Sequence, residues 1–399
     1  MAAFPPLNEQ MDAIRRGAVE IIPEQDLVRK IERSIATKEP LIVKQGFDPT
    51  RPDLHVGHMV SIRKLRTFQE LGHRVVFLIG DFTALVGDPS GASETRPQLT
   101  EEEVAKNAAT YREQIFKVLD PKHTVIERNS RWLGALTPPE ILTLTSHWTV
   151  ARMLERDDFA KRWKAKSPIS VMEFLYPLFV AYDSVELKAD IELGGTDQKF
   201  NVLTGRTLME RYGLEPQVVL IMPLLRGLDG ERKMSKSFDN YIGITESAED
   251  QYGKTMSIPD ALLEEWTTLL STIPTGELPA ALARCRKEPY VMKRALAADL
   301  VTQFHGAEAA AKAAAHFDRL FKSKEAPAER PAFTHAPAKL TAILKDIGFA
   351  KSLSEARRMV QQGGVQVDGV KAADPDLELA KGRYVVKYGK LKFADLTIS

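Results

Sequence analysis

"LIVKQGFDPTRPDLHVGHMVSIRKLRTFQELGHRVVFLIGDF", residues 41–82, has the pattern of a strand, a helix and a second strand. The outer segments, LIVKQGF and RVVFLIGDF, are short and rich in β-branched and aromatic residues, and Gly, Asp and Pro bound them. The segment between them carries apolar residues at helical spacing and ends near Gly72. Such a βαβ unit favours a parallel sheet with helices on its faces, so we expect an α/β fold.

The pattern of the rest of the chain predicts several domains. HTVIERN and PQVVLIMPLL predict further strands of the same sheet, and the stretch between them is helical in pattern and rich in aromatic residues and Met. We predict an α/β domain over residues 1–240 with a helical insertion at about 130–190, a helical domain over 241–324, a Pro- and Ala-rich linker over 325–336, and a small domain over 337–399 with a helix pair followed by strands.

The composition is that of a soluble globular protein. The chain has 399 residues, 44% hydrophobic and 27% charged, with a net charge of +1, so any nucleic-acid contact depends on a local basic patch. A single cysteine, Cys285, excludes an intrachain disulfide and a zinc site built on several thiolates. The N-terminus lacks the pattern of a secretory signal, and the apolar runs are far shorter than the ~18 residues of a membrane span. We expect a cytoplasmic protein without a membrane segment.

The segment PDLHVGHM places two histidines at the predicted start of a helix. His55 and His58 are three residues apart, which puts both imidazoles on one helix face. The free N–H groups and the dipole of a helix N-terminus favour an anion, and two further donors there suit a phosphate. Gly57 would let a flat ring pack against the backbone. The alternative is a pair of ordinary surface histidines, because short motifs recur by chance.

The segment ERKMSKSFDN, residues 231–240, places two lysines in a short polar loop after a predicted strand. The ammonium groups of Lys233 and Lys236 are suited to neutralise a departing pyrophosphate. Such a loop on its own is more often solvated surface. Its occurrence together with HVGH, at the far end of a strand–helix array, is much more specific than either motif alone.

These two segments resemble the HIGH and KMSKS signatures of class I aminoacyl-tRNA synthetases, the second letter for letter. GFDPTRPDLHVGH, GDFTALVGDPSGASETR, FLYPLFVAYDSVELKADIELGGTDQKFN and PLLRGLDGERKMSKS narrow the resemblance to bacterial tyrosyl-tRNA synthetases, over the whole chain. The tail resembles the S-four-type RNA-binding domain. The resemblance implies a Rossmann-like parallel-sheet catalytic domain with a helical insertion, an α-helical anticodon-arm-binding domain and a small α+β RNA-binding domain. It also implies a homodimer with contacts in the insertion.

The resemblance implies that L-tyrosine is activated with ATP and then transferred to tRNA(Tyr). Mg²⁺ is expected with ATP, held mainly by the phosphates, without a metal site in the protein. The implied residues fall into three groups: His55, His58, Lys233, Lys236, Thr50 and Arg96 for catalysis; Asp48, Gly57, Gly195, Asp197, Met234 and Lys236 for ATP; and Asp88, Tyr176, Asp183 and Gln198 for tyrosine. By its letters alone, GGTDQ is also typical of a generic turn, Tyr176 of an ordinary core aromatic and Asp183 of a surface charge.

Three positions depart from the family pattern. Val180 stands where many relatives have a glutamine near the substrate amine. Lys44 stands where better-known relatives have a tyrosine that contacts the phenol hydroxyl, and we expect it to pair with Asp183 or to face away. Ala92 stands where a lysine is frequent. All three concern the choice of amino acid or the neighbouring loop rather than the phosphate chemistry.

The tail is more basic than the rest of the chain. From His335 onward it has 11 Lys and Arg against 7 Asp and Glu, a net charge of +4 (11 − 7). This asymmetry suits a module that binds RNA phosphates, for which we predict contacts by Lys345, Lys351, Arg357 and Arg358. The alternative is that the charge serves as solubilising surface.

Three other functions fit part of this pattern. Tryptophanyl-tRNA synthetases share both motifs, but they usually lack the basic tail and have less use for Tyr176 with Asp183. A cytidylyltransferase-like enzyme also has an HxGH pair, but the tail would be unexplained. A catalytically silent RNA-binding relative would have no need of intact His55, His58 and both lysines.

Overall fold

The computed structural model describes residues 4–90, 99–320, 330–389 and 392–399. The chain forms two compact units, residues 1–310 and 311–399, and each is described here by itself. Side chains of the predicted α/β domain, such as Phe77, and of the predicted helical domain, such as Trp266, belong to one buried cluster in the first unit. The core is therefore continuous across residue 240, and the predicted domain boundaries stay predictions.

Six strands form the sheet of the first unit: β1 (Glu20–Ile22), β2 (Ile42–Phe47), β3 (Arg74–Ile79), β4 (Thr124–Arg128), β5 (Ile191–Gly195) and β6 (Val218–Met222). Their order is β1–β6–β5–β2–β3–β4. β1 pairs antiparallel with β6, and the other neighbours are parallel. Every residue of β6 is buried, as expected for a parallel strand covered on both faces. The predicted α/β fold class is confirmed.

Helices cover both faces of this sheet and fill the rest of the first unit. They are α1 (Leu7–Arg15), α2 (Glu24–Thr37), α3 (Val56–Glu70), α4 (Thr83–Val86), α5 (Glu101–Ile115), α6 (Ser130–Leu133), α7 (Pro138–Ser146), α8 (Val150–Met153), α9 (Asp157–Lys164), α10 (Val171–Leu187), α11 (Lys199–Arg211), α12 (Ala248–Met256), α13 (Leu263–Leu270), α14 (Leu278–Lys287), α15 (Pro289–His305) and α16 (Ala307–Asp318), the last of which continues into the second unit. Within the described parts of the chain, every helix is too short or too polar to cross a membrane.

The strand order reverses between β2 and β5. From β2 the chain proceeds to β3 and β4 on one side, whereas β5 leads to β6 on the other side. In open parallel sheets, ligands bind outside the carboxyl ends of the strands at such a reversal. The segments that follow β2 and β5 begin at Asp48 and Thr196. This edge of the sheet is therefore the expected place for a binding site.

Two helices bring further side chains to this edge. α3 follows β2 and buries Met59, Ile62, Leu65 and Phe68, which recur every third residue and place one face against the core. α10 lies in the predicted insertion, where the hydroxyl of Ser170 accepts a hydrogen bond from a backbone N–H of its first turn. The inner face of α10 packs in a separate apolar cluster with α11.

The second unit has a five-stranded sheet and a helix pair. The strands are β7 (Ala332–His335), β8 (Val365–Val367), β9 (Val370–Lys371), β10 (Gly382–Tyr388) and β11 (Lys392–Ile398), in the order β7–β11–β10–β8–β9; the helices are α17 (Leu340–Asp346) and α18 (Leu353–Gln361). Ser352 caps α18, since its hydroxyl accepts from the backbone N–H of Glu355. β7 lies within the predicted linker 325–336 and pairs in parallel with β11. The four residues of β7 have no local strand pattern. They form a strand because they pair with β11, which lies about sixty residues further along the chain.

Candidate active site

A cleft of about 420 Å³ lies at the carboxyl edge of the sheet, where β2 and β5 meet. Almost all the residues that the sequence predicted for the site line it: Asp48, Thr50, His55, Gly57, His58, Asp88, Tyr176, Asp183, Gly195, Asp197, Gln198, Lys233, Met234 and Lys236. Arg96 and the departure at Ala92 lie outside the described residues. The segments that carry these side chains are distant in sequence, and the sheet brings them into one cavity.

The two histidines form a neutral pair at the start of α3. The backbone N–H of Gly57 donates to His55 Nδ1 at 3.2 Å, and the backbone N–H of His55 donates to His58 Nδ1 at 3.1 Å. Burial lowers the pKa of His55 to about 2 and that of His58 to about 4, so both rings are neutral near pH 7. Because Nδ1 accepts in each ring, each neutral imidazole carries its hydrogen on Nε2. The pair thus offers two N–H donors without net charge.

Gly57 connects the histidine segment to the lysine loop. Its N–H also lies 3.1 Å from the sulfur of Met234, which stands between the two lysines. A Cβ at Gly57 would lie 2.9 Å from His55 Nδ1 and 3.4 Å from the Cβ of Met234. The added Cβ would clash with the ring of His55 and only touch Met234, so the packing on the histidine side favours glycine here.

Both lysines of the loop contact carboxylates of the cleft. Lys236 Nζ lies 3.0 Å from Asp53 Oδ2, and Lys233 Nζ lies 3.6 Å from Asp197 Oδ2. The Lys236 ammonium also lies 5.8 Å from the ring centroid of Tyr241, within the range of a cation–π contact. The cleft therefore contains two cations as well as the two imidazoles, and each of the cations is paired with an acidic side chain.

Asp48 follows β2 and is partly buried. Its carboxylate accepts from the hydroxyl of Thr83 at 2.7 Å and from the hydroxyl of Tyr176 at 2.9 Å. Burial raises the pKa of Asp48 to about 7, although the two hydroxyl donors oppose the rise. Tyr176, predicted to meet the substrate amine, thus contacts Asp48 as well. Thr50, predicted to contact phosphate, donates its backbone N–H to the carbonyl of Asp48 at 2.8 Å.

A second carboxylate, Asp88, lies in a network that the sequence did not predict. Gln198 Nε2 donates to Asp88 Oδ2 at 2.8 Å and to the hydroxyl of Ser90 at 3.1 Å. The buried guanidinium of Arg156 donates to the same hydroxyl at 2.6 Å and lies 3.6 Å from Asp88. Arg156 lies in the insertion, and no motif marked it because its partners are far away in sequence.

Asp183, on α10, is a third carboxylate of the cleft, and unlike Asp48 and Asp88 it is buried. It accepts from the indole N–H of Trp132 at 2.7 Å and from the amide of Asn129 at 3.2 Å. Burial raises the pKa of Asp183 to about 7, and the charge of Lys44 is the largest opposing effect. The same Asn129 amide donates to the hydroxyl of Thr83 at 3.0 Å. Asp183 and Asp48 are therefore joined through one chain of hydrogen bonds.

Lys44 takes neither of its two predicted orientations. Its Nζ lies 2.8 Å from Glu192 Oε1, and the two side chains are 1% and 3% exposed. The carbonyl of Val180 lies 3.5 Å from the same nitrogen. The pairing follows from the register, because Lys44 of β2 stands directly opposite Glu192 of β5. Sequence alone does not give the register of two strands that are so far apart in the chain.

Gly195 is the last residue of β5 and Asp197 follows it, in a segment whose sequence was also compatible with a generic turn. A Cβ at Gly195 would lie 2.7 Å from Asp197 Oδ1. Burial raises the pKa of Asp197, and the charge of Lys233 opposes the rise. Within the described ranges, no three His, Cys, Asp or Glu side chains are grouped so that they could hold a metal ion.

The four predicted RNA-binding residues all lie at the surface of the second unit. Lys345 is in the last turn of α17, Lys351 precedes α18, and Arg357 and Arg358 lie within α18. The Arg357 guanidinium donates to Asp376 at 2.8 Å.

A family model described as "tRNA synthetases class I (W and Y)" matches residues 36–322, and one described as "S4 domain" matches residues 339–383. The fold and the matched range define a class I tRNA synthetase of the tryptophan and tyrosine group. The tyrosine–tRNA ligase of Moorella thermoacetica is 51% identical over 97% of this chain and 95% of its own length. The tyrosine–tRNA ligase of Geobacter sulfurreducens is 50% identical over 98% of this chain and 99% of its own length. The chain therefore belongs to the tyrosine–tRNA ligase family, and the predicted family and enzyme class are confirmed.

Solved structures share the fold of the chain. The crystal structure of tyrosyl-tRNA synthetase complexed with L-tyrosine from Archaeoglobus fulgidus matches with a TM-score of 0.63 at 24% identity, over 78% of this chain and 100% of that chain. A truncated mitochondrial tyrosyl-tRNA synthetase from Aspergillus nidulans matches with a TM-score of 0.65 at 23% identity, over 78% and 94%. At these identities the likeness concerns the fold alone.

Proposed function

We propose that the chain activates L-tyrosine with ATP, forming tyrosyl-adenylate and pyrophosphate, and then transfers the tyrosyl group to the 3′ end of tRNA(Tyr). The observation that carries this proposal is the composition of the cleft. One end has paired imidazole N–H donors opposite paired ammonium groups, and the other end has buried carboxylates. The first end suits a triphosphate, and the second suits an amino acid whose side chain carries a polar group.

The activation step needs no nucleophile from the protein. The tyrosine carboxylate attacks the α-phosphorus, a new phosphorus–oxygen bond forms, and the bond to the bridging oxygen breaks as pyrophosphate leaves with its electron pair. Catalysis then consists of positioning and of stabilising the negative charge that develops. We assign the Nε2–H groups of His55 and His58 to the phosphates and the ammoniums of Lys233 and Lys236 to the leaving pyrophosphate. Thr50 and Arg96 are further proposed phosphate contacts.

ATP would extend from this end towards β5. The backbone at Gly57 and the side chain of Met234 offer a flat surface to the adenine ring, and Gly195 with Asp197 would contact the ribose. Asp48 would also line the part of the cleft that holds ATP.

Mg²⁺ is proposed to arrive with ATP, held mainly by the phosphate oxygens. The carboxylates of the cleft already have donors from the protein: Asp48, Asp88, Asp183 and Asp197. They therefore suit hydrogen bonding to substrate better than a dedicated magnesium cage.

Tyrosine would occupy the other end of the cleft. Asp183 would accept the hydrogen of the phenol hydroxyl, and Asp88, Tyr176 and Gln198 would surround the α-amino and carboxylate groups. Phenylalanine would leave the buried carboxylate of Asp183 without that donor. Because a buried polar group that loses its partner costs free energy, this arrangement rejects phenylalanine.

The remaining parts of the chain would serve tRNA binding and assembly. The exposed basic residues of the second unit, Lys345, Lys351, Arg357 and Arg358, are proposed to contact tRNA. Exposed apolar side chains in the insertion support a homodimer contact there: Leu142, Val150, Trp163 and Val171. We also propose that the protein works in the cytoplasm.

Pyrophosphate exchange into ATP, measured with each amino acid in turn, tests the proposal. We expect exchange with L-tyrosine only, followed by charging of tRNA(Tyr). Exchange with tryptophan instead would favour a tryptophanyl-tRNA synthetase. No exchange with any amino acid would favour a binding protein without catalysis.

A further inference from the structure

A buried lysine forms part of the wall of the cleft. Lys44 of β2 and Glu192 of β5 face each other across the strand reversal, with 2.8 Å between Nζ and Oε1, and both line the cavity. The other carboxylate oxygen of Glu192 accepts from the hydroxyl of Ser184 at 3.0 Å and from the amide of Gln217. Glu192 thus accepts on both carboxylate oxygens, and Lys44 is one of its donors.

A buried ion pair of this kind contributes little to net stability. The cost of removing two charges from water roughly offsets their attraction, and apolar side chains of similar volume often serve equally well. The interior of the sheet next to the pair is built from such apolar residues, including Val43 and Leu193. The position of this ion pair at the cleft therefore points to a role in substrate binding.

Lys44 lies beside the predicted acceptor of the substrate hydroxyl. Its Nζ is 3.5 Å from the carbonyl of Val180, and Asp183 is three residues further along α10, on the same face. Burial raises the pKa of Asp183, and Lys44 opposes this rise more than any other group. A cation and a carboxyl group therefore line the same end of the cavity without pairing with each other.

We propose that Lys44 is a specificity-determining residue, which donates a hydrogen bond to the para-oxygen of the substrate while Asp183 accepts from the same hydroxyl. The inference rests on the proposed function of the cleft. A phenol hydroxyl has one hydrogen to donate and lone pairs to accept with, so it satisfies both groups together. An ammonium has three N–H bonds. Among the described residues, Glu192 and the Val180 carbonyl accept from two of them, which leaves the third for the substrate oxygen. Substrates without a para-oxygen leave one N–H of Lys44 without the substrate acceptor and leave Asp183 without the phenol donor.

A series of para-substituted substrates separates this role from a structural one. Pyrophosphate exchange is measured with L-tyrosine and with 4-aminophenylalanine, whose amine donates but is a poor acceptor. In the parent we expect kcat/KM to favour tyrosine strongly. The double variant Lys44→Met with Glu192→Gln removes both charges together and leaves neither buried and unpaired. It should lose about 10- to 100-fold in kcat/KM for tyrosine, and the preference over 4-aminophenylalanine should fall by a similar factor.

The matched control is Lys30→Met with Asp190→Asn. Lys30 is also a buried lysine in an ion pair, with 3.1 Å to Asp190, but that pair lies at the amino ends of β2 and β5. The control should leave the preference for tyrosine unchanged. If the Lys44 variant loses activity equally with both substrates, the role is structural and the inference is overturned.

A second measurement avoids the folding of any variant. In crystals of the parent with L-tyrosine, Lys44 Nζ should lie within about 3.2 Å of the phenol oxygen. A separation beyond about 4 Å would overturn the inference even if tyrosine occupies the cleft. Absence of tyrosine from the cleft, together with no tyrosine-dependent exchange, would overturn both this inference and the proposed function.

Discussion

Replacing Gly57 by alanine should impair activation by moving one imidazole. The added Cβ would lie 2.9 Å from both Cε1 and Nδ1 of His55, closer than such atoms approach in folded proteins. The backbone there is the first turn of α3, so the ring is the part that gives way. Its displacement breaks the hydrogen bond from Gly57 N–H to Nδ1, and it moves the Nε2–H donor away from the proposed phosphate position.

The size of the effect follows from the lost contact. A hydrogen bond to a charged partner contributes about 1.5–3 kcal/mol, so its loss in the transition state lowers kcat by about 10- to 150-fold. Stability should change little, because alanine is the better helix former by up to ~1 kcal/mol and offsets part of the crowding. Tyrosine-dependent pyrophosphate exchange measures the first effect, and thermal unfolding measures the second.

Gly253→Ala is the matched control, since Gly253 also lies in a helix but no heavy atom lies within 4 Å of its added Cβ. It should keep the exchange rate of the parent. A double variant with His55→Ala should be no slower than His55→Ala alone, because both changes remove the same donor. Parent-like exchange by Gly57→Ala, or full additivity in the double variant, would refute the reasoning.

Four further outcomes are expected. Lys236→Ala should depress adenylate formation with little change in the KM for tyrosine; an unchanged exchange rate would contradict its role. Asp53→Asn should alter the KM for ATP by no more than about 5-fold, since the exposed pair is worth about 0.2–1 kcal/mol; a larger change would give Asp53 a role of its own. Deleting residues 330–399 should spare exchange but impair tRNA charging, and full charging would contradict a tRNA role for the tail. Burial lowers the pKa of His73 to about 4, so below pH 6.5 the folded state binds fewer protons than the unfolded state. Between pH 7.5 and 5, the free energy of unfolding of the parent should therefore fall by about 2 kcal/mol more than that of His73→Gln, as measured by denaturant titration.

The sequence predicted the elements whose signals are local. β2, α3 and β3 have the expected periods, and α10 carries a serine cap and a long apolar pattern. β5 was missed because two glycines end it, and β1 because it is only three residues long at the sheet edge. Both segments form strands because they pair with neighbouring strands, and a local sequence pattern contains no information about that pairing.

The same distinction applies to the cleft. Its lining residues were predicted because they lie in short motifs, but their partners were not. The link from Tyr176 to Asp48 joins α10 to the end of β2, and the contacts of Arg156 join the insertion to the segment after α4. These contacts depend on register and helix packing. The charge state of the site was also hidden, because the burial that lowers the pKa of His55 depends on the folded surroundings.

In the proposed phosphate site, the charged groups of the cleft exchange partners when a triphosphate binds. Lys236 and Lys233 each contact a carboxylate that is itself partly exposed, Asp53 and Asp197. Phosphate oxygens can replace these carboxylates at small cost, because exposed ion pairs contribute little. The imidazoles, by contrast, are held by backbone hydrogen bonds to Nδ1 and need no rearrangement to donate from Nε2. The histidines are therefore the preorganised half of the proposed phosphate site, and the lysine loop is the half that responds to the nucleotide.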